Sequence, residues 1–440
     1  MSMMKSLYTA ATGLGAHSDA LGVVGHNIAN INTLGHKASR ARFEEMVANS
    51  VGLRRVSGQG SRLLQIDSVF TQGALLSTGV PTDLAIQGPG FFVLQGTVNG
   101  VNGDYYTRVG QFHIDANGRL VSPEDLAVQG YLADATGTIT QTLSDIQLPT
   151  SVAPSATQNA TISVNLDSVP NVDPATGLPP PPTPAWDSTN PDGTSNFSTT
   201  ITVYDSLGGA HTASVYFRQD AITTNWEWHA MVADGEVTNP AGNPIGLTEA
   251  ASGTLTFDTE GRLDTETTTV SDFDFIGATQ NQAINFDFGD SITTDGGSGR
   301  NGSTAYNENN AVKALDQDGY ASGSIAGFSV QQDGLVLAAF TNGETRTVAQ
   351  LLLANFRNES GLVGAGSSLY VESTASGEPL IGVANSGGLG AINAGALESS
   401  NVDLSREFVN LIAYQRGFQA NARTVTTADE MMSELVNLKR

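Results

Sequence analysis

SNVDLSREFVNLIAYQRGFQANARTVTTADEMMSEL, residues 400–435, carries a large apolar side chain at every seventh position. These positions are Leu404, Leu411, Phe418, Val425 and Met432. The first thirty residues repeat the pattern with Leu7, Leu14, Leu21 and Ile28. A period of seven lets helices supercoil and bury one stripe of each against the other. Both ends of the chain are therefore predicted to be helices with an apolar seam.

The C-terminal helix is apolar over more than its seam. Phe408 and Leu435 lie beside the seam, so one partner helix would not cover the whole apolar face. A single amphipathic helix usually only faces the core of its own protein. Two such helices at opposite ends of one chain instead favour pairing with each other and with other chains. We predict a first helix over about 3–31, and a last helix with Ser400 or Asn401 as its N-cap.

Between the two ends the sequence has the pattern of antiparallel strands. From Ser68 onward, short apolar runs alternate with polar residues and are bounded by Gly, Pro, Asp and Asn. The Asn-Gly pair at 117–118 and the stretch 201–217 are the clearest hairpin signals. Near Leu148 the composition shifts toward Thr, Ser, Asn and Pro, and strong strand patterning returns from Ser324. We interpret the middle part as an insertion between two halves of one β domain.

The predicted fold class is α+β, with terminal helices forming a coiled-coil domain and two mainly antiparallel β domains, the outer one inserted in the inner one. The predicted boundaries are 1–30 and 397–440 for the terminal helical domain, 31–67 for an extended or partly ordered connector, 68–147 and 319–396 for the inner β domain, and 148–318 for the outer inserted β domain. Glycine and serine predict a second connector at 361–395. Successive prolines predict that 178–184 is extended.

Charge is distributed unevenly along the 440 residues, whose net charge is -24. Residues 1–55 hold six basic and three acidic residues, the part from 398 onward holds five and six, and the middle holds nine and thirty-five. An acidic body repels phosphate backbones and anionic lipids, so nucleic-acid and lipid-membrane binding are not expected. The lack of cysteine excludes disulfides and thiol chemistry. The N-terminus does not have the pattern of a cleaved signal peptide, and no apolar run is long enough to span a bilayer.

The sequence contains no strong signal for catalysis or for a metal. The stretch 316–319, DQDG, resembles the start of a calcium loop, but the twelfth position is Gly327 instead of Glu. The sequence therefore disfavours calcium binding by any loop without settling it. The six histidines lack metal-ligand spacing, and nothing marks a nucleophile, although a Ser-His-Asp set is spatial and spacing does not test it. We predict a protein that is not an enzyme, with no catalytic residue, metal or cofactor.

Several of these segments resemble the flagellar axial proteins, the family of rod and hook components. HNIANINTLGHKASR, residues 26–40, resembles the Asn-rich signature that follows the first helix in that family, and 400–438 resembles its closing helix. QGALLSTGVPTDLAIQGPGFFVL and GFSVQQDGLVLAAF in the body are similar to motifs of the hook subunits. Residues 150–200 and 230–315 match poorly. The chain also departs from the family at His26, where Asn is usual, and at His36, where an aromatic residue is usual.

The resemblance implies a structural subunit of the bacterial flagellar hook, which self-assembles into a curved, flexible tube and transmits torque from rod to filament. It implies an extracellular location at the hook and basal body, reached without a cleaved signal peptide. The implied partners are copies of the chain itself in a helical homopolymer, a hook cap, the distal rod, hook–filament junction proteins and the flagellar type III export apparatus.

In this reading the helical seams carry assembly. The predicted assembly residues are Leu7, Leu14, Leu21, Ile28, Leu404, Phe408, Leu411, Phe418, Val425, Met432 and Leu435. Two alternatives remain open. A distal-rod component would share the terminal motifs, but it would lack room for the inserted domain. A secreted, acidic, β-rich enzyme would suit the body of the chain, but it would leave the seams unexplained.

Overall fold

A computed structural model of the chain describes residues 2–48, 57–168, 184–220, 225–238, 240, 242 and 244–437. The chain divides into two compact units. The terminal unit comprises Met1–Thr150, Ala326–Ala339 and Thr345–Arg440, and the central unit comprises Ser151–Ile325 and Phe340–Glu344.

Within its described residues, the first part of the chain contains one long helix and ten strands. They are α1 Ser2–Ala29, β1 Ser39–Ala48, β2 Ser57–Ser68, β3 Leu75–Ser77, β4 Leu84–Gln87, β5 Phe91–Val98, β6 Val101–Thr107, β7 His113–Ile114, β8 Leu120–Val121, β9 Ala127–Ala133 and β10 Ile139–Asp145.

The middle part is built mainly from strands. Its elements are β11 Ser151–Val152, β12 Asn159–Asn165, α2 Pro191–Thr194, β13 Phe197–Tyr204, β14 Ala210–Gln219, β15 Trp226–Ala233, β16 Leu247–Phe257, β17 Leu263–Ser271, β18 Asn285–Asp287 and β19 Ala311–Gln317, with a 3-10 turn at Asp234–Glu236.

The last part returns to strands and closes with the second long helix. Its elements are β20 Gly323–Val330, β21 Leu335–Phe340, β22 Thr345–Asn355, β23 Val363–Gly366, β24 Leu369–Val371, β25 Leu380–Val383, β26 Ala391–Ala394, β27 Ala396–Glu398 and α3 Leu404–Asn437, with a 3-10 turn at Glu359–Gly361.

Both predicted terminal helices are present. The start of α3 is capped by Asp403, whose Oδ1 accepts hydrogen bonds from the backbone amides of Ser405 at 2.9 Å and Arg406 at 3.2 Å. The prediction of Ser400 or Asn401 as N-cap is therefore wrong. A carboxylate at the first turn also complements the positive end of the helix dipole.

The first predicted connector is a β-hairpin over its described residues 39–48 and 57–68. Strands β1 and β2 pair antiparallel, with bulges that shift the register. The hairpin packs on α1 so closely that a Cβ on Gly60 would meet the Thr12 hydroxyl. The prediction of an extended or partly ordered connector did not include the pairing of these strands or their packing on α1.

The second predicted connector, 361–395, also contains strands. β24 pairs with β6, β25 pairs with β22, and β26 pairs with β4. Its glycines supply left-handed backbone at turns, as at Gly377 and Gly388. A composition typical of a linker therefore encodes the tight turns of a sheet instead.

The sheet of the terminal unit brings together two distant parts of the chain. β22 pairs with both β5 and β9, so residues 345–355 join strands from 91–133. Phe91, Tyr106, Phe356 and Tyr370 form the centre of its core with edge-to-face ring contacts. The predicted hairpin at 117–118 is confirmed, since β7 and β8 pair across this turn.

The central unit is an antiparallel meander of β13 to β17, beside a small sheet in which β12 pairs with β18 and β19. Its core is rich in fully buried aromatic side chains, including Phe217, Trp228 and Phe273. The hairpin predicted within 201–217 is confirmed by the pairing of β13 with β14. Most of the proline-rich run predicted to be extended, 178–183, lies outside the described residues.

Candidate functional site

Helices α1 and α3 pack against each other in an antiparallel register. The Asn27 amide donates to Glu407 Oε2 at 3.2 Å. A Cβ on Gly417 would lie 2.7 Å from the His17 ring, and one on Gly13 would lie 2.8 Å from the Asn421 amide. In each of these three contacts the two residue numbers add to 434. One uniform register therefore extends over at least four turns of both helices.

The face of α1 that the chain buries is made of small residues. Ala10, Ala16, Ala20 and Val24 are each no more than 4% exposed. They do not coincide with the predicted seam, although they recur at similar helical spacing. Reasoning from large apolar residues missed this face, and the signal that marks it is the repeat of Ala and Gly at intervals of three and four.

The predicted seam residues remain partly or largely accessible in the isolated subunit. Leu14, Leu21, Ile28, Leu411 and Val425 are half-buried. Those more exposed are Leu7 at 38%, Leu404 at 39%, Phe408 at 49%, Phe418 at 38% and Met432 at 42%. Leu435 belongs to α3, but its side chain lies outside the described residues. The seam side chains therefore keep part of their surface accessible in the isolated subunit.

Additional apolar residues widen this accessible surface on α3. Val409 is 66% exposed and Ile412 is 49% exposed, next to Phe408. The name "outer helix face" is used below for Leu404, Phe408, Val409 and Ile412. Leu404, Phe408 and Ile412 recur at intervals of four and therefore lie on one side of α3. Exposed apolar side chains grouped in this way usually mark an interaction surface.

The hairpin contributes to the helix pair through one aromatic side chain. Phe43 of β1 lies 5.8 Å from the His17 ring of α1 and 5.9 Å from the Tyr414 ring of α3, measured between ring centroids. The three rings therefore join β1, α1 and α3. This contact explains why the hairpin packs on the helices.

A buried ionic cluster lies where α1 ends and α3 begins. Lys37 Nζ donates to Glu398 Oε1 at 2.7 Å and to the Thr71 carbonyl at 2.9 Å. The side chains of Lys37 and Glu398 are both completely buried. Arg108 Nη1 lies 3.7 Å from Glu398 Oε2 and donates to the Gly88 carbonyl at 2.9 Å.

Two asparagines extend this cluster by hydrogen bonds to the backbone. Asn401 accepts from the Ala38 amide at 2.7 Å and donates to the Val69 carbonyl at 2.7 Å. Asn27 accepts from the Ser39 amide at 2.8 Å and donates to its carbonyl at 2.7 Å, besides its bond to Glu407. The name "terminal clasp" is used below for Asn27, Lys37, Arg108, Glu398, Asn401 and Glu407.

Burial shapes the electrostatics of the terminal clasp. It lowers the pKa of Lys37, and the nearby Glu398 carboxylate opposes that change. Burial likewise lowers the pKa of Arg108 and raises the pKa of the neighbouring Tyr370 to about 12. Charges removed from water in this way are stable only with close partners. The buried charges of Lys37, Arg108 and Glu398 therefore depend on one another.

The two departures from the family pattern contact each other. The rings of His26 and His36 meet edge to face at 5.5 Å. Burial lowers the pKa of His36, and the proximity of His26 lowers it further.

The described residues do not meet the needs of a metal site. Within them, no group of three His, Asp or Glu side chains is placed to hold a metal ion. Asp318, from the stretch that resembles a calcium loop, accepts hydrogen bonds from the backbone amides of Gln158 and Asn159. It therefore ties β19 to the start of β12.

Glu266 is the acid whose titration the central unit changes most clearly. Its Oε2 accepts a hydrogen bond from the Phe288 amide at 2.9 Å. Burial raises the pKa of Glu266 to about 7, and the nearby carboxylates of Asp287 and Asp295 contribute to the rise.

Within the described ranges, no helix combines the length and apolarity needed to cross a membrane.

Family models from flagellar rods and hooks match most of the chain. Residues 7–37 match "Flagella basal body rod protein", 85–167 match "Flagellar hook protein FlgE/F/G D1 domain", 165–320 match "Flagellar basal body protein FlaE D2 domain", and 393–438 match "Flagellar basal body rod FlgEFG protein C-terminal". The first and last models include the helices and most of the terminal clasp. The class of protein that these four models define is that of the flagellar axial proteins.

Full-length relatives narrow this class. The chain is 33% identical to the flagellar hook protein FlgE of Treponema pallidum over 100% of both chains. It is 35% identical to that of Salmonella typhimurium over 99% of this chain and 100% of the relative. A crystal structure of Helicobacter pylori flagellar hook protein FlgE2 covers 74% of this chain and 100% of its own, with 17% identity and a TM-score of 0.49. The chain belongs to the flagellar hook protein family.

Proposed function

We propose that this chain is a structural, non-enzymatic subunit of the flagellar hook that assembles with its own copies through the outer helix face and the seam of α1. The resulting helical homopolymer is a curved, flexible tube that transmits torque from rod to filament. One observation carries the proposal. The face that α1 buries within the chain is made largely of small residues, while the large apolar residues of the seams keep part of their surface accessible.

The energetics favour assembly through many modest contacts. Fully burying a large apolar side chain is worth about 1.5–3 kcal/mol. Phe408 and Ile412 are each 49% exposed, so burying the remaining surface of each contributes about 1 kcal/mol on the same scale. Several such residues per contact hold a polymer together. Each contact nevertheless stays weak enough to rearrange as the tube bends.

A coiled-coil arrangement of the terminal helices is part of this proposal. The uniform antiparallel register of α1 and α3 supports it, as do the seven-residue periods of both helices. Further helices from other subunits would then pack on the outer helix face. A wide apolar face that one partner helix leaves partly open suits this geometry.

The domain organisation is also proposed. The chain would leave the inner β domain near residue 148 and return near 319, with the outer β domain inserted between. The pairing of β22 with β5 and β9 supports this organisation, because strands that precede and follow the central unit in the sequence share one sheet. The acidic middle of the chain suits a surface that faces water.

The remaining partners follow from the family. We propose a hook cap, the distal rod, hook–filament junction proteins and the flagellar type III export apparatus as partners, and a position outside the cell in the hook and basal body. A distal-rod role is the alternative, since two of the matching models describe rod proteins. The end-to-end similarity to hook proteins favours the hook.

Immunogold electron microscopy of detached flagella tests the proposed location. The antibody is raised against residues 150–315, because this part matches the rod alternative least. Gold along the short curved segment at the base of the filament is the expected result. Gold confined to the straight rod or to the cell surface would contradict the hook assignment.

A further inference from the structure

We propose that the terminal clasp fixes the register of α3 along α1 and so determines which apolar side chains the helix pair presents to other subunits. This inference rests on the proposed function and adds a positioning role for residues that lie outside the apolar seams. Three points support it: the position of the clasp, the small side chains on the buried face of α1, and the buried polar groups that a shifted register would leave without partners.

The clasp holds α3 at its beginning. Asn401 precedes the first residue of α3 by three positions and bonds to backbone on both sides of the hairpin. Asn27 lies in the last turn of α1 and bonds to the backbone of Ser39 and to Glu407 in the first turn of α3. The end of one helix and the start of the other are therefore tied to the same hairpin.

The helix contact itself discriminates weakly between registers. Ala16 and Ala20, two buried residues of α1, are four residues apart, so a slide of about one turn, 5.4 Å, again brings a small side chain to the same place on the buried face. Two side chains do enter gaps, His17 at Gly417 and Asn421 at Gly13. Both are long enough to rotate into new positions. The hydrogen bonds of the terminal clasp require defined distances and angles, which the contacts along the helix face do not.

A slide of one turn would be costly because of the clasp. Asn27 and Glu407 are 1% and 8% exposed, and a shift of one turn would separate the groups that now bond. Buried polar groups without partners strongly disfavour a conformation. The same slide would move Phe408 and Ile412 relative to α1, and thereby alter the surface offered to the next subunit.

Disulfide trapping tests this inference, because the chain has no cysteine of its own. Gly13→Cys with Asn421→Cys reports the observed register. Gly13→Cys with Gly417→Cys or with Val425→Cys reports a slide of one turn in either direction. Each pair is made in the full chain, with the clasp intact or carrying Asn27→Ala and Asn401→Ala. Intrachain disulfides are measured in assembled polymer and in purified subunit, under mild oxidation.

With the clasp intact, the observed-register pair should exceed each shifted pair by about tenfold or more, the ratio that one unpaired buried polar group imposes. In the clasp variant, the disulfide yield of a shifted pair should rise to within about threefold of the yield of the observed-register pair. If the double clasp variant does not fold, the single Asn27→Ala carries the same comparison. Ile146→Ala, which weakens the core of the terminal unit where the fully buried Ile146 packs beside Gly130 of β9, should leave the ratio unchanged.

Two results would overturn the inference. One is continued dominance of the observed-register pair in the clasp variants, which would make the clasp only a stabilising contact. The other is failure of that pair to form while the clasp is intact. A chain that traps the observed register but never forms tubes would instead contradict the proposed function and leave the positioning role standing.

Discussion

Replacing Lys37 by Met makes a demanding test of the terminal clasp. Met keeps the aliphatic stem of Lys37 but leaves the Glu398 carboxylate fully buried, with the Gly73 amide at 2.7 Å and Arg108 at 3.7 Å. Removing one partner of a buried ion pair costs about 3–5 kcal/mol. We therefore expect the free energy of unfolding of the terminal unit to fall by about 3 kcal/mol or more.

The distribution of chromophores allows each unit to be followed separately. All three tryptophans, Trp186, Trp226 and Trp228, lie in the central unit. Both long helices lie in the terminal unit. In urea unfolding, far-UV circular dichroism at the helix band therefore reports on the terminal unit, while tryptophan fluorescence reports on the central unit. Lys37→Met should move the first transition to lower urea and leave the second in place.

An exposed ion pair of the same unit provides the matched control. Arg62 pairs with Glu44 while its side chain remains 63% exposed, and exposed pairs contribute about 0–1 kcal/mol. Arg62→Met should therefore shift the helix transition little. Combining Lys37→Met with Glu398→Gln should cost less than the two single changes added together. A loss below about 1 kcal/mol for Lys37→Met, or an equal shift of both transitions, would refute the reasoning.

Two further predictions concern helix packing and pH. Gly417→Leu should lower the stability of the helix pair by about 1–3 kcal/mol, because a Cβ at Gly417 meets the His17 ring. The matched control Gly22→Leu, which has open space around it, should be neutral or stabilising. Both are measured in circular-dichroism melts, and equal effects would contradict the packing of α1 on α3. Because folding raises the pKa of Glu266 to about 7, this group stabilises the central unit below about pH 4.5 and loses that contribution as the pH rises toward about 7. Glu266→Gln should flatten the plot of unfolding free energy against pH between about pH 4.5 and 7, measured by tryptophan fluorescence. The same change at the exposed Glu260 should leave that slope as it is. An unchanged slope in Glu266→Gln would disprove the assignment of the pH dependence to Glu266.

The sequence predicts the elements of this fold better than their contacts. A strict period of seven identifies both terminal helices, and the Asn-Gly pair at 117–118 identifies a hairpin, because each is a local signal. The buried face of α1 escaped prediction because Ala16 and Ala20 have no large apolar group. They become a buried face only when the rest of the chain packs on α1.

The terminal clasp escaped prediction for a different reason. Lys37 and Glu398 are 361 positions apart, and separately each reads as an ordinary surface charge. Their burial depends on the sheet that brings the two ends of the chain together. The hairpin at 39–68 was missed similarly, because its basic, polar sequence is typical of a connector until helix α1 covers one of its faces.

The most direct test of the central claim is a polymerisation assay of Phe408→Asp beside Thr427→Asp. Both changes add the same charge to an exposed position of α3, but only Phe408 belongs to the outer helix face. Purified subunits are compared by circular dichroism and then by sedimentation and negative-stain electron microscopy. The account predicts that both fold normally, and that Phe408→Asp fails to form tubes while Thr427→Asp forms them. Tubes of normal yield from folded Phe408→Asp would contradict assembly through this face.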